Sequence, residues 1–168
     1  LDFINPSLVV PHIKNETING IYNLKDGFLF TTSRNGIEAK LYFYNNGKSQ
    51  VLNLPFPAGD ISVTTKDSLS NDFWVICSGW KNEAERFSYD YTEKKFISEN
   101  LSPVIQYPEF KDLMVKETTL KSWDGQDIPL TLIYNQNINL DSNNPVLIDA
   151  YGAYGTSMNP FFAKTYLL

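Results

Sequence analysis

The sequence contains few of the residues that catalysis, metal binding and disulfide bonding require. Among its 168 residues there is one cysteine, Cys77, and one histidine, His12. A single cysteine excludes an internal disulfide and a zinc site built on cysteines. Its apolar neighbours, Val75 and Ile76, predict that Cys77 is a buried apolar residue. His12 follows a proline and has no partner of a catalytic or metal site nearby, so we interpret it as a structural loop histidine.

Basic charge and long apolar runs are scarce as well. The net charge is -5, which provides neither a basic surface for nucleic acid nor a polybasic stripe for an anionic membrane. There is no run of about 18 apolar residues, and Leu1 does not open a signal-peptide pattern. The sequence therefore predicts neither nucleic acid nor a membrane as a partner. The absence of cysteine pairs fits a cytoplasmic or a periplasmic protein equally well.

Aromatic and β-branched residues, by contrast, are plentiful. Hydrophobic residues make up 42% of the chain and aromatic residues 14%, enough for a folded core. They occur in short runs bounded by turn residues such as Asp26-Gly27 and Asn46-Gly47, which is typical of antiparallel strands. The predicted strands cover residues 18–24, 28–32, 41–45, 61–65, 73–78 and 86–91. No sustained period of 3.6 occurs before about residue 100, so this part is predicted to be all β.

The predicted strands repeat along the chain. Phe28 aligns with Phe73 at an offset of 45 residues, and Phe43 aligns with Tyr89 at an offset of 46. Four short strands in a period of about 45 residues are typical of a β-propeller blade. We therefore predict about two blades within residues 1–106, with a single antiparallel sandwich as the alternative. Because a propeller needs about four blades or more, the chain is expected to be a fragment.

Residues 107–168 are predicted to begin a second domain. A stretch with two prolines, 101–113, has the composition of a linker. Residues 115–121 and 128–134 alternate around an Asp-Gly turn, which predicts a β-hairpin. The apolar run 146–148 is predicted to be a buried central strand. Such a strand with a glycine-containing loop after it is how an open α/β sheet begins, and ligands bind at that end of the strands.

Two stretches of this second part carry a resemblance to a known family. They are "WDGQDIPLTLIY" and "NPVLIDAYGAYGTSMNPFF". They resemble the start of the peptidase domain in the prolyl oligopeptidase family of serine peptidases, whose pattern is a DG hairpin followed by P-apolar-apolar-x-x-Y-G-x-[YF]. That family places a β-propeller immediately before an α/β-hydrolase domain. The resemblance therefore implies a mostly β chain, with the last propeller blades in residues 1–106 and the first strands of the hydrolase domain in 107–168.

The resemblance also implies roles for two tyrosines. Tyr151 matches the tyrosine whose hydroxyl completes the oxyanion hole, and Tyr154 matches an aromatic residue in the wall of the primary specificity pocket. One oxyanion donor is worth about 3 kcal/mol, because it stabilises charge that develops when serine attacks a carbonyl. Gly152 is expected to let the chain turn sharply between the two tyrosines. The alternative is that both are ordinary half-buried aromatics at a strand end.

The implied activity is hydrolysis of short peptides, with no metal and no organic cofactor. Prolyl-specific members tend to have "YGGF", whereas "YGAYG" here is closer to the oligopeptidase B branch, so cleavage after proline and after basic residues both remain open. The family's serine, aspartate and histidine follow the tyrosine loop, and this chain has no G-x-S-x-G elbow. We therefore expect an inactive fragment that depends on the rest of its own polypeptide and associates with itself through exposed strand edges. A non-catalytic binding module and an α/β-hydrolase esterase are the alternatives.

Overall fold

The computed structural model describes residues 5–34, 38–101, 107–155 and 158–167, and these are mostly β. The first sheet contains strands β1 (Thr17–Leu24), β2 (Gly27–Arg34), β3 (Glu38–Asn45) and β4 (Lys48–Leu52). The second contains β5 (Asp60–Thr65), β6 (Phe73–Gly79), β7 (Asn82–Asp90) and β8 (Lys95–Ser98). A hairpin of β9 (Leu113–Lys121) and β10 (Asp127–Asn135) follows, and α1 (Lys164–Leu167) ends the described chain.

Each four-stranded sheet is an antiparallel meander in chain order, as the blade prediction requires. We call β1–β4 the first blade and β5–β8 the second blade. Local chemistry explains the tight turn between β3 and β4, where Asn46 and Gly47 both have positive φ, at 48° and 79°. Two successive left-handed residues match the twist of the flanking strands, and an Asn-Gly pair adopts them at little cost.

The core lies between the two blades. Leu29 and Leu41 of the first blade and Val75 and Cys77 of the second are fully buried in one apolar cluster. Burial, with the nearby carboxylate of Glu85 as a smaller cause, raises the pKa of the Cys77 thiol to about 12. The prediction that Cys77 is a buried apolar residue is confirmed.

The repeat has one offset rather than the two that the sequence predicted. In the first blade Phe28 stacks on Tyr44, with ring centroids 4.7 Å apart, and in the second Phe73 stacks on Tyr89 at 5.4 Å. Equivalent residues therefore lie 45 positions apart on both strands, and the alignment of Phe43 with Tyr89 at 46 is wrong. A slip of one residue moves a side chain to the opposite face of the sheet. Phe43 packs towards the second blade, whereas Tyr44 faces away from it.

The far face of the first blade holds a buried carboxylate. Glu16, just before β1, accepts hydrogen bonds from Thr32 Oγ1 at 2.7 Å, Lys40 Nζ at 2.5 Å and Tyr42 OH at 3.0 Å. Its side chain is only 4% exposed. Burial by itself raises the pKa of Glu16, but the three hydrogen bonds outweigh it, so the pKa lies below its usual value. His12, four residues earlier, is exposed in a loop, as interpreted from the sequence.

The hairpin is confirmed and it contacts the second blade. Lys81 Nζ donates to the carbonyl of Leu113 at 3.0 Å, and Tyr107 OH donates to Glu83 Oε1 at 2.9 Å. Phe110, in a 3-10 turn at Pro108–Phe110, is buried at this junction. Residues 102–106 of the predicted linker lie outside the described residues, so the domain boundary at 106/107 stays a prediction.

The predicted buried strand at residues 146–148 is wrong for this chain. No strand forms there, and the three apolar side chains are 72–82% exposed. A central strand needs neighbours on both edges to satisfy its backbone hydrogen bonds. Among the described residues, the hairpin pairs only with itself and no other strand lies alongside this run.

Candidate active-site loop

Both tyrosines that the sequence singled out lie on one exposed loop, residues 149–155, which we call the tyrosine loop. Tyr151 is 50% exposed and Tyr154 is 96% exposed. The structure therefore places the two rings three residues apart on one segment. The described residues do not enclose them in a cleft, and the half-buried strand-end environment of the alternative interpretation does not describe Tyr154.

The chain reverses at Tyr154 rather than at Gly152. Tyr154 and Gly155 both have left-handed backbones, with φ of 56° and 65°. Gly152 is outside that region, and a Cβ added there would meet no atom within 4 Å, so the prediction that Gly152 makes the sharp turn is wrong. For a residue with a side chain, a left-handed conformation costs roughly 1–2 kcal/mol. Such strain concentrates at functional segments.

The chain after the tyrosine loop returns to the second blade. We call residues 158–162 the anchor segment. Pro160 is buried against Gly59, which precedes β5; a Cβ built on Gly59 would lie 2.0 Å from Pro160 Cγ. Phe161 packs on Trp80, in the turn between β6 and β7, with centroids 5.9 Å apart.

A second aromatic contact joins the anchor segment to the start of the hairpin. Phe162 lies 5.3 Å from the Tyr107 ring and 6.0 Å from the Phe110 ring, measured between centroids. Sequence reasoning missed all of these contacts. The apolar triplet Pro160-Phe161-Phe162 signals burial, but no local pattern identifies partners about 50 to 100 residues away.

The remaining chemical groups of this region are limited. Within the described residues, no three histidine, cysteine, aspartate or glutamate side chains are grouped closely enough to hold a metal ion. The α-helix in the described ranges has four residues, and none of the helices seen there could span a lipid bilayer. The tyrosine loop offers two phenol hydroxyls as hydrogen-bond donors and the carboxylate of Asp149 as an acceptor.

No family model matches the chain, but several curated peptidases are similar to it in sequence. The chain is 26% identical over 150 residues to prolyl oligopeptidase A of Amanita bisporigera, covering 88% of this chain and 19% of that protein. It is 27% identical over 160 residues to dipeptidyl aminopeptidase BI of Pseudoxanthomonas mexicana, covering 93% and 22%. The chain thus spans about a fifth of the length of the curated relatives it matches.

Solved structures show the same fold. A prolyl endopeptidase structure superposes with a TM-score of 0.78 at 16% identity, covering 95% of this chain and 23% of the other. Oligopeptidase B from Trypanosoma brucei superposes with a TM-score of 0.73 at 17% identity, covering 95% and 24%.

Fold and relatives together point to one class of protein. The two consecutive four-stranded blades match the propeller portion of those solved structures. In sequence, the chain is similar to prolyl oligopeptidases over about a fifth of their length.

Proposed function

We propose that the whole protein is a serine-type oligopeptidase that hydrolyses short peptides, and that Tyr151 supplies one donor of its oxyanion hole. The observation that carries the proposal is the position of Tyr151. Its ring is half exposed on the tyrosine loop, and the chain that follows this loop packs on the second blade through Phe161. The similarity of the chain to prolyl oligopeptidases supports the reaction class.

The proposed chemistry assigns a single task to this chain. A serine oxygen attacks the peptide carbonyl, and the carbonyl oxygen takes up negative charge. The Tyr151 O–H donates a hydrogen bond to that oxygen, which stabilises the transition state more than the substrate. The amine leaves, and water then hydrolyses the acyl-enzyme. The serine, the aspartate and the histidine that activates the serine come from outside this chain in the proposal.

Tyr154 is proposed to form part of the wall of the specificity pocket. Its exposed ring and strained backbone suit a side chain that is held out for a ligand rather than packed in a core. Because the pocket's other walls come from outside this chain, the proposal leaves two preferences, cleavage after proline and cleavage after a basic residue. The activity test below distinguishes them.

Three further properties belong to the proposal. The blades would restrict substrates by size, because a peptide would have to reach a cleft between propeller and hydrolase domain. The compartment, cytoplasm or periplasm, is compatible with the buried and unreactive environment of Cys77. The chain by itself is proposed to associate through its unpaired sheet edges, β1, β4, β5 and β8.

The activity test uses the complete gene product and fluorogenic peptides that release their reporter after proline, arginine or lysine. Tyr151→Phe removes only the hydroxyl, so kcat should fall roughly 10²-fold or more while KM changes little. Tyr166→Phe is the matched control, because Tyr166 is a similarly exposed tyrosine of α1 outside the tyrosine loop. Its kcat should equal that of the wild type.

The outcomes separate the parts of the proposal. Cleavage by the wild type with an unimpaired Tyr151→Phe variant would remove the oxyanion role and keep the peptidase. No cleavage of any peptide, together with no reaction with a serine-directed phosphonate, would favour a binding module. Labelling by the phosphonate and cleavage of esters only would favour an esterase.

A further inference from the structure

Among the described residues, the contacts that restrain the tyrosine loop lie on its C-terminal side. The chain that enters it, residues 146–148, is exposed and unpaired with any described strand. The chain that leaves it docks on the second blade at Pro160, nine positions after Tyr151. The docked end therefore restrains the position of the loop.

The receiving surface at Gly59 is rigid. Gly59 N–H donates to the Ser78 carbonyl at 3.1 Å, which ties it to β6, and Ala39 N–H donates to the carbonyl of the adjacent Ala58 at 2.8 Å. Hydrogen bonds to both blades therefore hold this corner. Pro160 fits there only because Gly59 has no side chain, since contacts under 3.0 Å force atoms to shift and an added Cβ would approach Pro160 to 2.0 Å.

Trp80 provides the second contact, and packing alone orients it. It occupies the two-residue turn between β6 and β7, whose ends Gly79 and Asn82 are paired. Its indole N–H is buried and has no acceptor among the described residues. The tilted ring contact with Phe161 is thus what a change of this side chain would remove.

We infer that Gly59 and Trp80, with Pro160 and Phe161, are positioning residues that set the location of the Tyr151 hydroxyl relative to the propeller. The inference rests on the proposed function for its catalytic consequence, but not for its structural one. Each of the four acts through the loop and touches no substrate. The second blade thereby helps to place an oxyanion donor. Small displacements of such a donor have large effects on the reaction rate.

The structural test measures amide hydrogen exchange of residues 149–155 by mass spectrometry in the complete gene product. Trp80→Ala and Phe161→Ala should each speed exchange there by several-fold, because the docked end of the loop is loosened. Trp74→Ala is the matched control: Trp74 is the other tryptophan of the second blade, bonded to Glu99 and stacked on Arg86 away from the loop. If substitutions in the blade unfold the protein, Phe161→Ala still tests the inference, because the side chain of Phe161 is partly exposed.

The catalytic test combines the same variants with Tyr151→Phe. Trp80→Ala should lower kcat about tenfold or more in the wild-type background and little in the Tyr151→Phe background, because a misplaced hydroxyl and a missing one cost the same interaction. KM should change little in either background. Conversely, a purely structural role would lower kcat by the same factor in both.

The outcomes keep the two proposals distinguishable. If the wild-type protein is inactive but residues 149–155 exchange faster in the variants than in the wild type, the anchor is supported and the proposed function fails. Unchanged exchange in Trp80→Ala and Phe161→Ala would overturn the anchor, whatever the activity. Equal loosening by Trp74→Ala, or equal kcat losses in both Tyr151 backgrounds, would also overturn the positioning role, since the effect would then be general destabilisation.

Discussion

Glu16 is the residue whose environment departs furthest from what its chemistry prefers in water. It is a carboxylate with 4% side-chain exposure, and it remains charged because a lysine, a threonine and a tyrosine donate to it. A buried charge is tolerated when its partners replace the lost water. The depressed pKa of Glu16 makes the stability of the first blade depend on pH.

Glu16→Gln should therefore destabilise the chain in a pH-dependent way. At pH 7 we expect a loss of about 1–3 kcal/mol in the free energy of unfolding, because Lys40 loses its buried ionic acceptor. A depressed folded-state pKa contributes stability that is present above the unfolded value of 4.5 and is lost as pH falls through the folded value. Denaturant unfolding at pH 7 and at acid pH measures the difference, which should narrow at acid pH.

Glu93→Gln is the control for this prediction. Glu93 is exposed and lies 3.8 Å from Lys95, so its substitution should change stability by less than about 0.5 kcal/mol. A Glu16→Gln deficit that stayed constant down to acid pH would contradict the assigned charge state.

At the scale of elements, equivalent strands of the two blades have unequal surroundings. Phe73 on β6 is 2% exposed between the blades, whereas its counterpart Phe28 on β2 faces away from the second blade and is only partly buried. Phenylalanine at the same repeat position is thus part of the core in the second blade and only partly buried in the first. The difference arises because Phe73 faces the first blade, whereas the described residues place no blade against the face that carries Phe28.

Phe73→Ala and Phe28→Ala form a matched pair for this reason. We expect Phe73→Ala to cost about 3–5 kcal/mol, because it leaves a cavity between two sheets. Phe28→Ala should cost less than half as much, since solvent already reaches its site. Urea unfolding of both variants at pH 7 measures the costs, and equal losses would show that the first blade's outer face is covered.

The strands also show which features of the fold the local sequence pattern predicts. Alternation and turn residues predicted the strands of both blades and the hairpin, because pleat and turn geometry depend on near neighbours. The same signals failed at residues 146–148, where apolar composition indicates burial but the chain provides no neighbouring strand. They also failed by one residue in the repeat offset, because composition does not reveal which face of a blade an aromatic occupies.

The chain has open sheet edges, and the outer face of the first blade carries exposed apolar side chains around the buried Phe30 and Tyr42. Val51, on the edge strand β4, and Ile21 on β1 are exposed there. Unpaired edges with apolar side chains promote pairing between chains. The association proposed for this chain is therefore expected at these sheet edges.

Sedimentation of the purified chain over a range of concentrations tests this expectation. We expect concentration-dependent association, and Val51→Lys should shift it towards monomer because a lysine on an edge strand opposes pairing. Leu69→Lys is the control, since Leu69 is exposed in the loop between β5 and β6. Monomeric behaviour of the wild-type chain at every concentration would refute the expectation.

The sequence by itself determined the strands, the turns, the two-blade repeat and the motif around Tyr151, because each depends on residues close together in the chain. The tertiary structure alone decided which aromatic rings lie between the blades and that Pro160 docks on Gly59. These features depend on contacts between residues far apart in sequence. Such contacts form only where the complete set of neighbours leaves matching space, as the missing side chain of Gly59 does for the Pro160 ring.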